Sequence, residues 1–312
     1  MEEVWNIFPP HLREFISECF RQPQQPEEIR MRIGQPLLMD TGSGELFWDK
    51  PCGRLTRSIE GAYIVSDTDI REVVLHMSKY SLYAFEEELR AGFMTIQGGH
   101  RIGIAGRAVC EGGSIRTIRQ ISFLNIRIAG ERKGCADPVI SHIRSGQSVF
   151  NTLIISPPGV GKTTLLRDCL RQLSLGDNGH PGLKVGVVDE RSELAACYLG
   201  RPQNDLGPRT DVMDACPKSE GMLLLLRSMS PQVIGVDELG GEADFAAVEY
   251  ALHCGSRILG TIHGENPEEM RLKPYLSRWL AQGFFERYLL IRRKAQKERE
   301  ILVFDERLEL VC

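Results

Sequence analysis

Apolar positions along the first 145 or so residues change period several times. Leu12, Phe15, Ile16, Cys19 and Phe20 recur at helical spacing and define one buried helix face. Val73, Val74 and Met77 mark a second helix, which Asp67 or Asp69 could cap. Short runs at 28–33, 37–39, 94–96, 101–105, 114–118 and 124–128 predict strands. Gly98-Gly99 lies between two of these runs and signals a hairpin. This half reads as mixed α and β.

From Phe150 the pattern becomes regular. Apolar runs at 152–155, 184–188, 233–236, 257–262 and 288–291 predict buried strands. Helices are expected at 163–173, 219–229, 242–253 and about 267–280, the last interrupted by Pro274. Short apolar strands alternating with helices imply an α/β fold, a mostly parallel sheet with helices on both faces. Gly134, Pro138 and Gly146 mark the passage between the halves. The expected organisation is a smaller α+β domain with linker over 1–140 and the α/β domain over 141–312. No internal repeat or low-complexity segment is visible.

Composition narrows the class. The chain has 312 residues, 42% hydrophobic and 26% charged, as in a globular protein with a sizeable core. A net charge of −4 gives no global attraction to nucleic acid or anionic membrane. Arg292, Arg293, Lys294, Lys297 and Arg299 cluster, but Glu298 and Glu300 dilute them, and a solvated charged segment is expected. The nine cysteines are scattered with no CxxC pair, which argues for reduced thiols and against a zinc site. The opening Met1-Glu2-Glu3 lacks the basic-then-apolar pattern of a secretory signal. No apolar run approaches the ~20 residues of a membrane span. A cytoplasmic protein is expected, peripheral at a membrane only through partner proteins.

The chemistry concentrates in the second half. Residues 156–163 read Ser-Pro-Pro-Gly-Val-Gly-Lys-Thr, a Walker A loop with Ser156 where glycine is usual. An apolar strand enters it and a helix leaves it, as phosphate binding requires. The expected nucleotide contacts are Pro158, Gly159, Val160, Gly161, Lys162, Thr163 and Thr164. Gly159 and Gly161 let backbone N–H groups turn inward around an anion. The helix start directs its positive end at the phosphates. Lys162 supplies a cation, and the Thr163 hydroxyl is a hard oxygen ligand for Mg²⁺.

Val233 to Val236 is an apolar strand that ends in Asp237 and Glu238, a Walker B pattern. Strand carboxyl ends are where open parallel sheets bind ligands. Asp237 can hold Mg²⁺ and Glu238 can activate the attacking water. The strand before Asp189 also ends in acids, Asp189-Glu190, followed by Arg191, Ser192 and Glu193. A water or metal contact and a structural ion-pair network fit that run equally. His263 ends a third strand, where it could sense the γ-phosphate and report it to a neighbouring subunit.

In this order the four motifs resemble the secretion-ATPase superfamily: P-loop, Asp box (189–193), Walker B and His box (261–264). Arg227, upstream of Pro231, resembles that family's arginine before Walker B. The family usually has Gly-Glu where this chain has Asp237-Glu238, so a carboxylate is gained. The resemblance implies a RecA-like P-loop ATPase domain, a hexameric ring, and roles in catalysis for Lys162, Glu238, Glu190, His263 and Arg227. It also implies that N-domain arginines reach the nucleotide, with Arg101, Arg107 and Arg127 as candidates. Residues 28–36, 98–107, 125–129 and 210–218 resemble a stage III sporulation family of endospore-forming bacteria. That likeness implies an ATPase serving membrane proteins of a stage III sporulation complex between mother cell and forespore.

Other classes fit less well. A RecA-like nucleic-acid motor needs a basic channel and stacking aromatics, against a charge of −4 and 7% aromatic residues. A P-loop GTPase would carry an Asn-Lys-x-Asp reader, which is missing from the sequence. A non-enzymatic ATP-binding scaffold would not need Lys162 together with Glu238.

Overall fold

The computed structural model describes residues 2–21, 25–50, 53–79, 86–272, 274–293 and 299–311. The chain divides into two compact units, Met1–Gly130 and Glu131–Cys312. The division falls about ten residues before the expected 140/141 boundary. The reason is the apolar spacing after Gly134. Ala136, Val139 and Ile143 are buried in the core of the second unit, and the Ala136 amide donates to Asp168 Oδ2 at 2.8 Å.

The first unit is built on an antiparallel sheet. Its elements are α1 (Glu2–Trp5), α2 (Pro10–Cys19), β1 (Glu28–Arg32), β2 (Leu38–Asp40), β3 (Glu45–Asp49), β4 (Arg54–Thr56), α3 (Asp67–Met77), α4 (Glu86–Ala91), β5 (Phe93–Thr95), β6 (Arg101–Glu111) and β7 (Ser114–Arg127). Strand order is β4-β3-β2-β1-β7-β6-β5. Pro10 starts α2, where its missing N–H costs nothing, and Leu12, Ile16 and Cys19 face the core. The cap of α3 is Ser66, not either expected aspartate. Its hydroxyl accepts from the Asp69 amide at 3.1 Å while Asp69 Oδ2 accepts from the Ser66 amide at 2.7 Å. This is a capping box with Asp69 at the third helical position. The expected strands 114–118 and 124–128 are one strand, β7, paired along its length with β6. A bulge between Ala105 and Arg107 hides the continuity. A side chain at Gly106, inside that bulge, would come within 2.6 Å of the Gln120 carbonyl.

The second unit holds a mostly parallel sheet. A small hairpin, β8 (Arg144–Ser145) and β9 (Ser148–Val149), follows the single turn α5 (Ile140–Ile143). Then come β10 (Thr152–Ser156), α6 (Lys162–Leu175), β11 (Val185–Asp189), β12 (Thr210–Asp214), α7 (Lys218–Ser228), β13 (Val233–Val236), α8 (Glu242–His253) and β14 (Arg257–His263). A 3₁₀ turn (Pro267–Leu272), α9 (Pro274–Gln282), β15 (Arg287–Arg293) and β16 (Arg299–Phe304) complete it. The expected helix over 267–280 is therefore two pieces, and Pro274 begins the second. The order is β12-β11-β13-β14-β10-β15-β16, parallel except for β16. Two apolar clusters pack against the sheet, one around α6 and one around α7, α8 and α9. Helix and sheet approach closely at Gly235, where a side chain would come within 2.3 Å of Leu170 Cδ1.

Candidate functional site

The strand order puts the loop after β10 beside the carboxyl ends of β14 and β13. Residues far apart in sequence therefore share one strand-end edge. The loop from Pro157 turns through Gly159 (φ +71°) and Gly161 (φ +109°), both left-handed. Around Gly159 the space a side chain would fill is open. Lys162, in the first turn of α6, is only 5% exposed.

Asp237, just past β13, accepts one hydroxyl from the loop side and one from β14. The Thr163 hydroxyl donates to Asp237 Oδ2 at 2.6 Å, and the Thr261 hydroxyl donates to Asp237 Oδ1 at 2.5 Å. Lys162 Nζ lies 3.4 Å from Glu238 Oε1 and 3.3 Å from His263 Nδ1. His263 Nε2 is 3.0 Å from Glu238 Oε1, and Arg191 Nη1 is 2.8 Å from Glu238 Oε2. The Glu238 amide donates to Thr261 Oγ1 at 2.8 Å, which holds Glu238 at φ +55°. That left-handed conformation costs a non-glycine residue about 1–3 kcal/mol and gathers at functional sites. Burial pushes the Glu238 carboxyl up, but Lys162, Arg191 and His263 outweigh it and hold it below the usual glutamate range.

The Asp box divides its labour. Asp189 is 2% exposed and accepts from the Glu193 and Ala195 amides at 2.8 and 2.7 Å, so it shapes the turn that presents Arg191. Burial, only partly offset by those amides, raises its carboxyl above the usual range. Glu190 is ion-paired with Lys218 and lines a crevice with Arg191, Asp237 and Glu238. Arg167 from α6 closes the far side of the turn by donating to the Glu193 and Leu194 carbonyls.

Arg227 is not brought to this cluster within the chain. Helix α7 starts at the Glu190 edge, where Lys218 pairs, and runs to the opposite edge of the sheet. Arg227 is exposed in its last turn, ahead of the amino end of β13. Arg101, Arg107 and Arg127 belong to the first unit. There Arg101 stacks on Phe93 at 3.6 Å, Arg107 faces Arg119 across the β6–β7 ladder, and Arg127 Nε is 3.6 Å from Glu28 Oε2.

Two arginines of the segment expected to be solvated sit on the loop. Arg293 donates to the Gly159 carbonyl at 3.0 Å. Arg299 packs on Gly161, where an added Cβ would lie 2.6 Å from Nη1. Arg292 instead pairs with Glu300 at 2.6 Å, while Lys294, Lys297 and Glu298 lie outside the described residues. No linear spacing signals the loop contacts, because β15 reaches the loop only as a neighbour of β10. Arg191 is legible as part of the Asp box and Glu238 as part of the Walker B strand end, but their pairing is not.

The donor set suits a magnesium nucleotide. One hydroxyl and one carboxylate, Thr163 and Asp237, are few ligands for a resident metal. They match Mg²⁺, which keeps waters and arrives with phosphate oxygens.

A family model described as Sporulation stage III, protein AA matches residues 1–311. The chain is 40% identical over 294 residues to Stage III sporulation protein AA of Bacillus subtilis (strain 168), covering 94% of this chain and 91% of that protein. Among solved structures, the ATPase DotB of Legionella pneumophila aligns with a TM-score of 0.60 at 16% identity, over 95% of this chain and 80% of that one. The ADP-bound pilus retraction motor PilT aligns with a TM-score of 0.59 at 14% identity, over 93% and 81%. The fold, a mostly parallel α/β sheet preceded by an antiparallel sheet, is therefore one that the chain shares with DotB and PilT.

Proposed function

The chain belongs to the sporulation stage III protein AA family, and on that premise we propose that it is an Mg²⁺-dependent ATP hydrolase. In this reading it is the motor subunit of a ring that energises a membrane-embedded sporulation complex. The observation that carries the reading is the meeting of Lys162 with Glu238 at 3.4 Å beside the Thr163–Asp237 pair. A phosphate-binding cation and a carboxylate base meet at the strand-end edge where a terminal phosphate would enter.

The loop amides and Lys162 bind the phosphate chain. Thr163 and Asp237 hold Mg²⁺, which when bound draws charge from the phosphate oxygens. With ATP seated, Lys162 exchanges its contact with Glu238 for the β and γ oxygens. Glu238 is then free to orient water and accept its proton, while Arg191 and His263 hold its two oxygens. The low carboxyl pKa keeps Glu238 ionised for that role. A family of bacterial sporulation proteins and a fold shared with an ATPase and a pilus motor support the motor reading. Ring formation, membrane partners and the trans action of Arg227 and the first-unit arginines are parts of the proposal. Among the described residues no helix is long and apolar enough to cross a membrane, so contact with the membrane complex is assigned to partner proteins.

The test is turnover of ATP by the full chain. Glu238→Gln is expected to bind ATP and lose about 10²–10⁴-fold in rate, the range of one positioned acid–base group. Lys162→Ala is expected to lose nucleotide affinity. Wild-type turnover in Glu238→Gln would remove Glu238 from the mechanism.

A further inference from the structure

The carboxylates of the site lie on one side of the loop, and arginines with no ion pair among the described residues lie on the other. Asp237, Glu238 and His263 stand at the ends of β13 and β14, which flank β10 on one side. The hairpin of β15 and β16 flanks β10 on the other. From that side Arg293 donates to the Gly159 carbonyl at 3.0 Å, and Arg299 lies against Gly161. Arg132 reaches the same end of α6, lining a crevice with Thr164 and Arg167.

The acids near Arg132 are committed elsewhere. Asp205 pairs with Lys133 at 2.6 Å, Asp168 pairs with Arg171 at 2.7 Å, and Glu131 accepts from the Asp205 amide at 2.5 Å. Among the described residues, the charged or titratable groups that act most on Arg299 are Arg132, the Cys135 thiol and Arg293, none of them a carboxylate. Burial, then these two like charges, hold its guanidinium below the usual arginine range. Converging guanidiniums without an acid repel one another, and a bound anion relieves that repulsion.

We propose that Arg299, Arg293 and Arg132 form a basic collar that grips the α-phosphate of a nucleoside di- or triphosphate seated in the loop. This rests on the nucleotide reading above and extends it. Glu238 fixes the hydrolysed end of the phosphate chain on the β13–β14 side. A chain crossing the loop from there brings its nucleoside end out toward β15 and β16. The collar stands at that exit and meets a phosphate common to ADP and ATP.

The experiment is titration of the full chain with Mg-ATP and, separately, Mg-ADP, by calorimetry. Arg299→Gln is expected to weaken both about ten- to a hundredfold, the loss of one charge-assisted hydrogen bond, and to leave the ATP-to-ADP affinity ratio as in wild type. Arg299→Lys is expected to recover part of the loss. Arg132→Gln alters an exposed loop residue and carries the same test if Arg299→Gln loses its native circular dichroism. Unchanged affinities in Arg299→Gln and Arg132→Gln overturn the collar, as does a loss confined to ATP. Wild-type protein that binds neither nucleotide overturns the nucleotide reading itself, and the collar with it.

Discussion

Glu238 is held in the site by both its backbone and its side chain. It has a left-handed backbone and three charged or polar partners, at 3.4, 2.8 and 3.0 Å. Arg191 is the partner whose removal separates positioning from chemistry. Arg191→Gln takes a cation from the carboxylate, so the Glu238 pKa rises and its base form is lost at a higher pH. The acidic limb of the kcat profile is expected to move toward neutrality, with kcat down about tenfold and KM for ATP little changed. An unshifted limb would show that Arg191 does not act through Glu238. The same depressed pKa links to stability. Its contribution is complete above the ordinary glutamate range and is lost as pH falls through the lower folded value.

At the scale of elements, the helix starts do different work. Helix α6 has no side-chain cap, and its N-cap is Gly161 at φ +109°. Its first amides are thus left for an anion. Helix α3 is closed by Ser66 and Asp69, with Tyr63 and His11 also on the Asp69 carboxylate at 2.8 Å each. Ser66→Ala is expected to cost about 0.5–2 kcal/mol in urea unfolding, the usual worth of an N-cap, and to leave ATP affinity intact. Burial pushes Asp69 up, but its hydrogen bonds to Ser66, Tyr63 and His11 prevail and lower it. Its stabilisation is therefore present above the ordinary aspartate range and fades as pH drops through the folded value. Sequence patterns located α3 and α6 well because apolar spacing is local. They missed β3, β4, β12 and β16, which are short or only partly buried and carry weak alternation.

For the whole molecule, the two units have separate cores. One apolar cluster lies wholly in residues 4–128, and two others lie in residues 135–308. A unit with its own core can fold alone. Residues 131–312 expressed alone are expected to unfold in one cooperative urea transition and to bind ATP, measured by circular dichroism and calorimetry. Loss of a cooperative transition would show that the second unit depends on the first.

Local chemistry in the sequence determined the loop and helix of the candidate site, the two strand-end carboxylates and the mostly parallel α/β class. Glycine placement, strand period and a helix start act over a few residues, and a linear reading can see them. Only the tertiary structure decided which distant residues share the site. The order β11-β13-β14-β10-β15 joins Arg191, Glu238, His263, Lys162 and Arg293 along one edge. Sheet order is set by how the strands pair and how the helices pack their apolar faces across them, and no spacing along the chain records it. The same cause set two exposed arginines, Arg293 and Arg299, against the loop and left Arg227 at the opposite edge.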